Sequence, residues 1–232
     1  MFLLRPSFRK KSIKEEIHSF AMQKNYPCVA AIESTLQGAY SVGTYGKFGE
    51  GTHWRFFRAD LLRYLEEQRM SSSPFYSFWA VFDEHSIVED ETDFEEKLWK
   101  ELSMLTSVED RNSDWIDESA STPENRSFCI SLAGEKMFVV GMHPTSSRLA
   151  RRFSRPALVF NAFSQFERLE KNGGYDRMVT TNRRRELDFQ GSLNPMVTDH
   201  GDDWEAIQFS GRVNTNTWKC PFRFFMRKEK PA

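Results

Sequence analysis

The sequence predicts a single α+β domain over residues 1–232, a mainly antiparallel sheet flanked by helices. Three observations carry that expectation. Stretches with apolar residues every three or four positions are mixed with short apolar runs of strand length. One neighbouring pair of runs brackets a glycine turn. Neither an internal repeat nor a low-complexity linker divides the chain.

Ser12 with Glu15 forms a capping-box pattern, and Ile13, Ile17, Phe20 and Ala21 share one face of the helix it opens. Pro27 ends that stretch, because the residue before a proline resists helical dihedrals. Cys28 to Glu33 and Ala39 to Tyr45 read as two strands around a turn at Gln37-Gly38. Thr52 caps a second helix in which Phe57, Leu61 and Leu65 recur every four residues. Phe75 to Phe82 is apolar on both faces, the pattern of an interior strand. Thr92 with Glu95 opens a third helix carrying Phe94, Leu98, Leu102 and Leu105. Glu109 to Ser127 is polar and broken by Pro123. It reads as a mobile loop, since structureless stretches beyond ~12–15 residues are uncommon in domains unless mobile or functional. Phe128 to Leu132 and Lys136 to Met142 flank Ala133-Gly134-Glu135, a hairpin signature, and His143 stands where the second strand ends. Ser146 to Phe153 is a short basic helix or loop and Ala157 to Phe160 a further strand. Ala162 to Lys171 is a helix stopped by Gly173-Gly174, and Tyr175 to Asp188 a last helix.

Formal charge is −1, from 32 basic and 33 acidic residues. A nucleic-acid binder ordinarily carries a basic excess, so no such partner is expected. The three cysteines, Cys28, Cys129 and Cys220, are widely spaced and form no disulfide framework. Met1-Phe2-Leu3-Leu4 falls short of the ~7–15 apolar residues of a signal-peptide core. Nothing approaches the ~18 of a membrane span. A cytoplasmic protein with reduced thiols and no membrane partner is expected. The 21 phenylalanines serve chiefly to pack a core.

Polar residues concentrate in two blocks. The first is His143-Pro144-Thr145-Ser146-Ser147-Arg148 with Arg151 and Arg152. The second runs from Asn194-Pro195-Met196 through His200-Gly201 to Glu205 and Gln208-Phe209-Ser210-Gly211-Arg212. They read as two walls of one site. His143, at a strand end and stiffened by Pro144, is a well-mounted imidazole. Arg148 with Arg151 or Arg152, spaced by three and four, would point one way, suited to carboxylates or phosphates. Acidic residues gather later, at Asp188, Asp199, Asp202, Asp203 and Glu205, where a carboxylate could hold a guanidinium or amine. Cys28 after Pro27 and Cys220 before Pro221 are core fillers or thiolate donors. No cysteine has a partner at zinc spacing.

These residues resemble the YqcI/YcgG family over nearly the whole chain. His143-Pro144, Ser147-Arg148 and Ala150-Arg151-Arg152-Phe153 carry the likeness, with Leu158-Val159-Phe160-Asn161 and Gln165-Phe166. So do Gln190-Gly191-Ser192, Asn194-Pro195-Met196, Glu205-Ala206 with Gln208, Ser210-Gly211-Arg212, Trp218 and Cys220-Pro221-Phe222. Tyr26-Pro27-Cys28 is similar to the family's aromatic-Pro-Cys element. Two positions depart: Phe209 replaces a usual tyrosine, and Trp204 stands where a small residue is usual.

The resemblance implies haem b and an oxygenase that N-hydroxylates a guanidine or amine, such as arginine, as in the guanitoxin and D-cycloserine pathways. A haem carrier or sensor without turnover is the alternative. In the roles it implies, His143 ligates the iron, with Cys28, Cys220 and His200 as alternatives. Arg148 and Arg152, with Ser147 and Arg212, hold the cofactor. Glu205 clamps a cationic substrate that Asn161 and Gln208 orient. The oxidant implied is dioxygen or peroxide, with the electron donor left open, and a homodimer is compatible.

Overall fold

The Ser12 N–H donates to the Glu15 carboxylate at 2.7 Å, and the Glu15 N–H returns a bond to the Ser12 hydroxyl at 3.3 Å. The capping box therefore opens helix α1 (Ile13–Ala21) in the computed structural model, which buries Ile17, Phe20 and Ala21. The structure describes residues 11–105, 122–125, 128–196, 205–215 and 217–223. His200, Trp204 and most of the expected loop at 109–127 lie outside them.

Residues 28–33 do not form the expected strand. They open helix α2 (Val29–Gln37), with the Cys28 sulfur accepting from the Ala31 N–H at 3.4 Å as N-cap. The reason is local. Five apolar residues followed by Glu33 do not discriminate strand from helix by periodicity, and Ala30 and Ala31 favour helix. Gln37 donates to Glu33 one turn back at 3.2 Å. Gly38, at φ +62°, closes the helix in the left-handed conformation that glycine adopts without strain.

Strand β1 (Tyr40–Thr44) then pairs in parallel with β2 (Ser77–Val81), and helix α3 (Trp54–Met70) supplies the crossover a parallel pair requires. His53, not Thr52, is the residue before that helix. Helix α4 (Glu91–Leu105) is capped by Asp90, whose carboxylate accepts from the Thr92 and Asp93 N–H groups at 2.8 and 2.9 Å. The hairpin forms as expected from β3 (Ile130–Leu132) and β4 (Glu135–Met142), and β5 (Ala157–Ala162) runs antiparallel to both β4 and β2. Strand order is β1-β2-β5-β4-β3, so every pair but the first is antiparallel. Helices α5 (Phe163–Lys171) and α6 (Tyr175–Gln190) follow. The basic stretch after His143 contains only a single 3₁₀ turn, Leu149–Arg151.

Because side chains alternate along a strand, the sheet serves two cores. Phe78, Ala80, Val139, Leu158 and Phe160 face α3 and α4, where Phe57, Leu61, Phe94, Leu98 and Trp99 are buried. Trp79, Val81, Met142 and Val159 face the other way, against Ile17, Phe20, Tyr26 and Phe153.

The loop from β1 to α3 is pinned to α4 by a buried carboxylate. Glu101 accepts from the Gly49 and Gly51 N–H groups at 2.8 and 3.1 Å, and its other oxygen lies 3.2 Å from His53 Nε2. Gly51 sits at φ +70°, and a Cβ there would fall 2.0 Å from the Met104 sulfur. Glu101→Gln is expected to lower the unfolding free energy by about 2 kcal/mol, the scale of charge-assisted bonds to buried donors. Urea denaturation measures it; an unchanged midpoint would show that the carboxylate does not hold the loop.

Candidate functional site

The sheet face opposite α3 and α4 is only partly covered. Between it and helices α2, α5 and α6 lies a cavity of about 310 Å³, at the small end of the ~300–1,000 Å³ of ligand pockets. Ser77, Trp79, Val140, Met142, Val159 and Asn161 form its floor. Tyr175, Met178, Val179, Asn182 and Glu186 of α6, spaced three and four apart, form its roof. No residue of α6 is fully buried, because this inner face looks into the cavity rather than onto a packed core.

Polar bonds hold that roof. Asn182 accepts from the Val29 N–H at 3.0 Å, Arg185 donates to the Tyr26 carbonyl at 2.7 Å, and Gln190 accepts from the Leu149 N–H at 2.7 Å. The first two also seat the Tyr26-Pro27-Cys28 turn, which the Tyr26 hydroxyl ties to the Ala150 carbonyl at 3.0 Å.

Cys28 lines the cavity at the N-terminus of α2. Burial pushes its thiol pKa up, while the Ala31 and Ala30 N–H groups and the Arg151 cation pull it down. A helix N-terminus with a nearby arginine is an environment that stabilises a thiolate. Arg151, also lining the cavity, donates to the Phe209 carbonyl at 2.9 Å and the Gly141 carbonyl at 3.4 Å. Burial lowers its pKa to about 10, so it stays a cation at neutral pH.

The segment 205–211 reaches this cavity along the edge of β4. Strand β3 covers that edge only as far as Met137. Beyond it the Gly141 N–H donates to the Phe209 carbonyl at 2.8 Å. Glycine is required there, since a Cβ at 141 would fall 2.6 Å from Phe94 and 2.8 Å from the Phe209 oxygen. Glu205 and Gln208 then line the cavity with Asn194 and Asn161. All three residues read as substrate-handling, Glu205, Asn161 and Gln208, thus share one cavity.

The residues read as cofactor-holding do not join them. Arg148 donates to Glu186 and to the Ser192 hydroxyl and carbonyl at 3.0 and 2.8 Å. Arg152 donates to the Ser146 carbonyl at 2.8 Å, and the Ser147 hydroxyl to Glu91 at 2.7 Å. Arg212 pairs at 2.9 Å with Glu95, which also accepts from Ser210 and Asn214 at 2.8 Å. The Ser-Gly-Arg motif is therefore a clamp on α4.

Among the described residues read as iron ligands, Cys28 alone lines the cavity. Cys220 is buried in the α3/α4 core, its thiol pushed up to about 12 by burial. His143 lies on that same side, stacked on Phe94 with ring centroids 4.1 Å apart, its Nδ1 2.9 Å from the Thr145 hydroxyl. Phe209 also packs there, against Trp99, so the departure from tyrosine does not touch the cavity. Sequence reasoning left Arg151 without a separate role and missed Asn182 and Glu186. The inward face of α6, read as three- and four-residue spacing from Tyr175, was the available signal.

The YqcI/YcgG family model matches residues 14–223. No curated protein and no solved structure matches the chain.

Burial lowers the His143 pKa from 6.5 to about 4 against the pull of Glu91 and Asp90. Between those values the unfolded chain binds a proton that the folded one refuses, so stability falls as pH drops through the window. Urea titrations of wild type and His143→Gln across that window should give a shallower loss in the variant. Equal slopes would show that His143 is not a source of acid sensitivity.

Proposed function

This chain belongs to the YqcI/YcgG family, and on that premise we propose that its cavity holds haem b with Cys28 as the protein ligand to iron. The protein is then a haem-dependent oxygenase that N-hydroxylates a guanidine or amine. One observation supports this reading above the others: a helix-capping thiol and a carboxylate flanked by carboxamides line the same cavity.

The residues fit a porphyrin by their chemistry. Trp79, Val140, Met142, Val159 and Met178 give apolar surface for a macrocycle, Cys28 a donor, and Arg151 a cation. Metal coordination deprotonates a thiol outright, which overcomes the upward push of burial. Haem bound there would supply oxygen activation, and a thiolate ligand favours cleavage of the oxygen–oxygen bond. Transfer of one oxygen atom to an N–H group balances with peroxide, or with dioxygen and two electrons and two protons from an external donor.

The chain's own residues do the rest. The Ala31 N–H stabilises the sulfur as it gains charge. Glu205 attracts the cationic head of the substrate, and Asn161 and Gln208 fix which nitrogen faces the iron. The apolar floor keeps water from the reacting atoms. A carrier or sensor would need the thiol and the apolar walls but not the carboxylate.

Titration of the purified protein with haemin should build a Soret band. In the reduced, carbon-monoxide-bound form that band should sit at the long wavelength of a thiolate-ligated haem. Cys28→Ser should shift it to the position of a non-thiolate haem, and His143→Ala should leave it in place. A spectrum unchanged in Cys28→Ser, or no uptake of haemin at all, defeats the proposal. With arginine, reductant and oxygen, Glu205→Gln should lower kcat/KM by about tenfold or more, the worth of a charge-assisted contact.

A further inference from the structure

We propose that Arg151 is the carboxylate receptor of this cavity, binding the acid group of the molecule that occupies it. That acid is either a porphyrin propionate or the carboxylate of a small-molecule ligand. The inference rests on the cavity assigned above but does not depend on the iron.

The other buried arginines among the described residues meet carboxylates. Arg148 pairs with Glu186, and Arg155 pairs with Glu16 at 2.6 Å and with Glu84 at 3.3 Å. Arg151 is as buried as they are, at 8 % exposure, yet among the described residues it has no ion pair. Its two hydrogen bonds, to the Gly141 and Phe209 carbonyls, both come from one terminal nitrogen. A guanidinium has five N–H donors arranged as a fork that matches a carboxylate. The remaining donors take no partner among the described residues. The carboxylate that acts on it, Glu186, is already engaged by Arg148.

A buried charge without a counter-ion is costly, and folds rarely retain one without a use. A purely structural clamp for the β4 edge would account for the two carbonyl bonds. It would not account for an unmatched cation lining the cavity, when the fold matches the two that do not. An anion arriving with the ligand supplies the missing charge and meets the free side of the fork.

The test compares acids with their esters. Binding of haemin and haemin dimethyl ester, and of L-arginine and its methyl ester, is measured on wild type, Arg151→Gln and Arg151→Lys. Wild type should prefer the acid by about tenfold or more in one of the two pairs, as expected for a bidentate charge-assisted contact. Arg151→Gln should abolish that preference, lowering the acid's affinity more than the ester's, and Arg151→Lys should keep part of it. The pair that responds names the source of the carboxylate. Failure of haemin to bind would end the haem reading alone, because the arginine pair still tests Arg151. No acid preference in either pair, a preference that survives in Arg151→Gln, or binding of none of the four probes overturns the assignment. Should Arg151→Gln melt before binding is read, the wild-type ratios and Arg151→Lys decide.

Discussion

The open edge of β4 is the constraint from which the site follows. A strand edge carries backbone donors and acceptors that must be satisfied, and β3 is too short to satisfy those beyond Met137. The chain resolves this with a segment from far along the sequence. The Gly141 N–H bonds to the Phe209 carbonyl, while Arg151 donates to the Gly141 and Phe209 oxygens together. Two glycines permit the approach. A Cβ at Gly141 would strike Phe94 and the Phe209 oxygen, and one at Gly211 would fall 2.5 Å from the Arg151 side chain. The joint sends Phe209 into one core and leaves Glu205 and Gln208 in the cavity behind the other face. Packing and site are thus set by the same few bonds.

That geometry explains how much could be read from the chain. The helices with a clear capping pattern or four-residue spacing were legible: α1 through Ser12 and Glu15, α3 through Phe57, Leu61 and Leu65, and α4 through Phe94 to Leu105. The hairpin was legible from Ala133-Gly134. The segment 28–33 was not, because a strand and a helix of that length carry the same apolar signal. What decided it was Gly38 and a sulfur acting as cap, which only a folded turn reveals. Likewise the parallel pairing of β1 with β2 depends on where α3 lays the chain, not on either strand's composition.

The site was legible in its carboxylate and carboxamides, while its thiol was read only as an alternative ligand. Glu205, Gln208 and Asn161 lie in motifs dense with polar residues, and they meet in one cavity. His143 drew attention for the same reason, yet alternation along a strand argues against it. Met142 lines the cavity, so its neighbour must point to the opposite face, where the imidazole stacks on Phe94. Cys28 depends on contacts more than a hundred residues away in sequence, through Asn182 and Arg185, and no local pattern announces them.

Those distant contacts couple the thiol to the roof. Helix α6 buries no residue fully; its Phe189 packs edge-on against the Tyr26 ring, and polar contacts supply much of the rest. Polar contacts on it include Asn182 on the Val29 N–H, Arg185 on the Tyr26 carbonyl, Glu186 on Arg148, and Gln190 on the Leu149 N–H and the Ser147 carbonyl. Bonds of this kind exchange with water at a net cost of about 0.5–1.5 kcal/mol each, up to about 3 where a charge is involved. The floor, in contrast, is sheet held in a ladder between two cores. The cavity therefore has a floor fixed in the sheet and a roof whose seating leans on polar contacts. Since two of them also seat the Tyr26-Pro27-Cys28 turn, displacing the roof would disturb the thiol along with it. Any ligand that opens α6 would have to restore those contacts, or replace them, for Cys28 to keep its place.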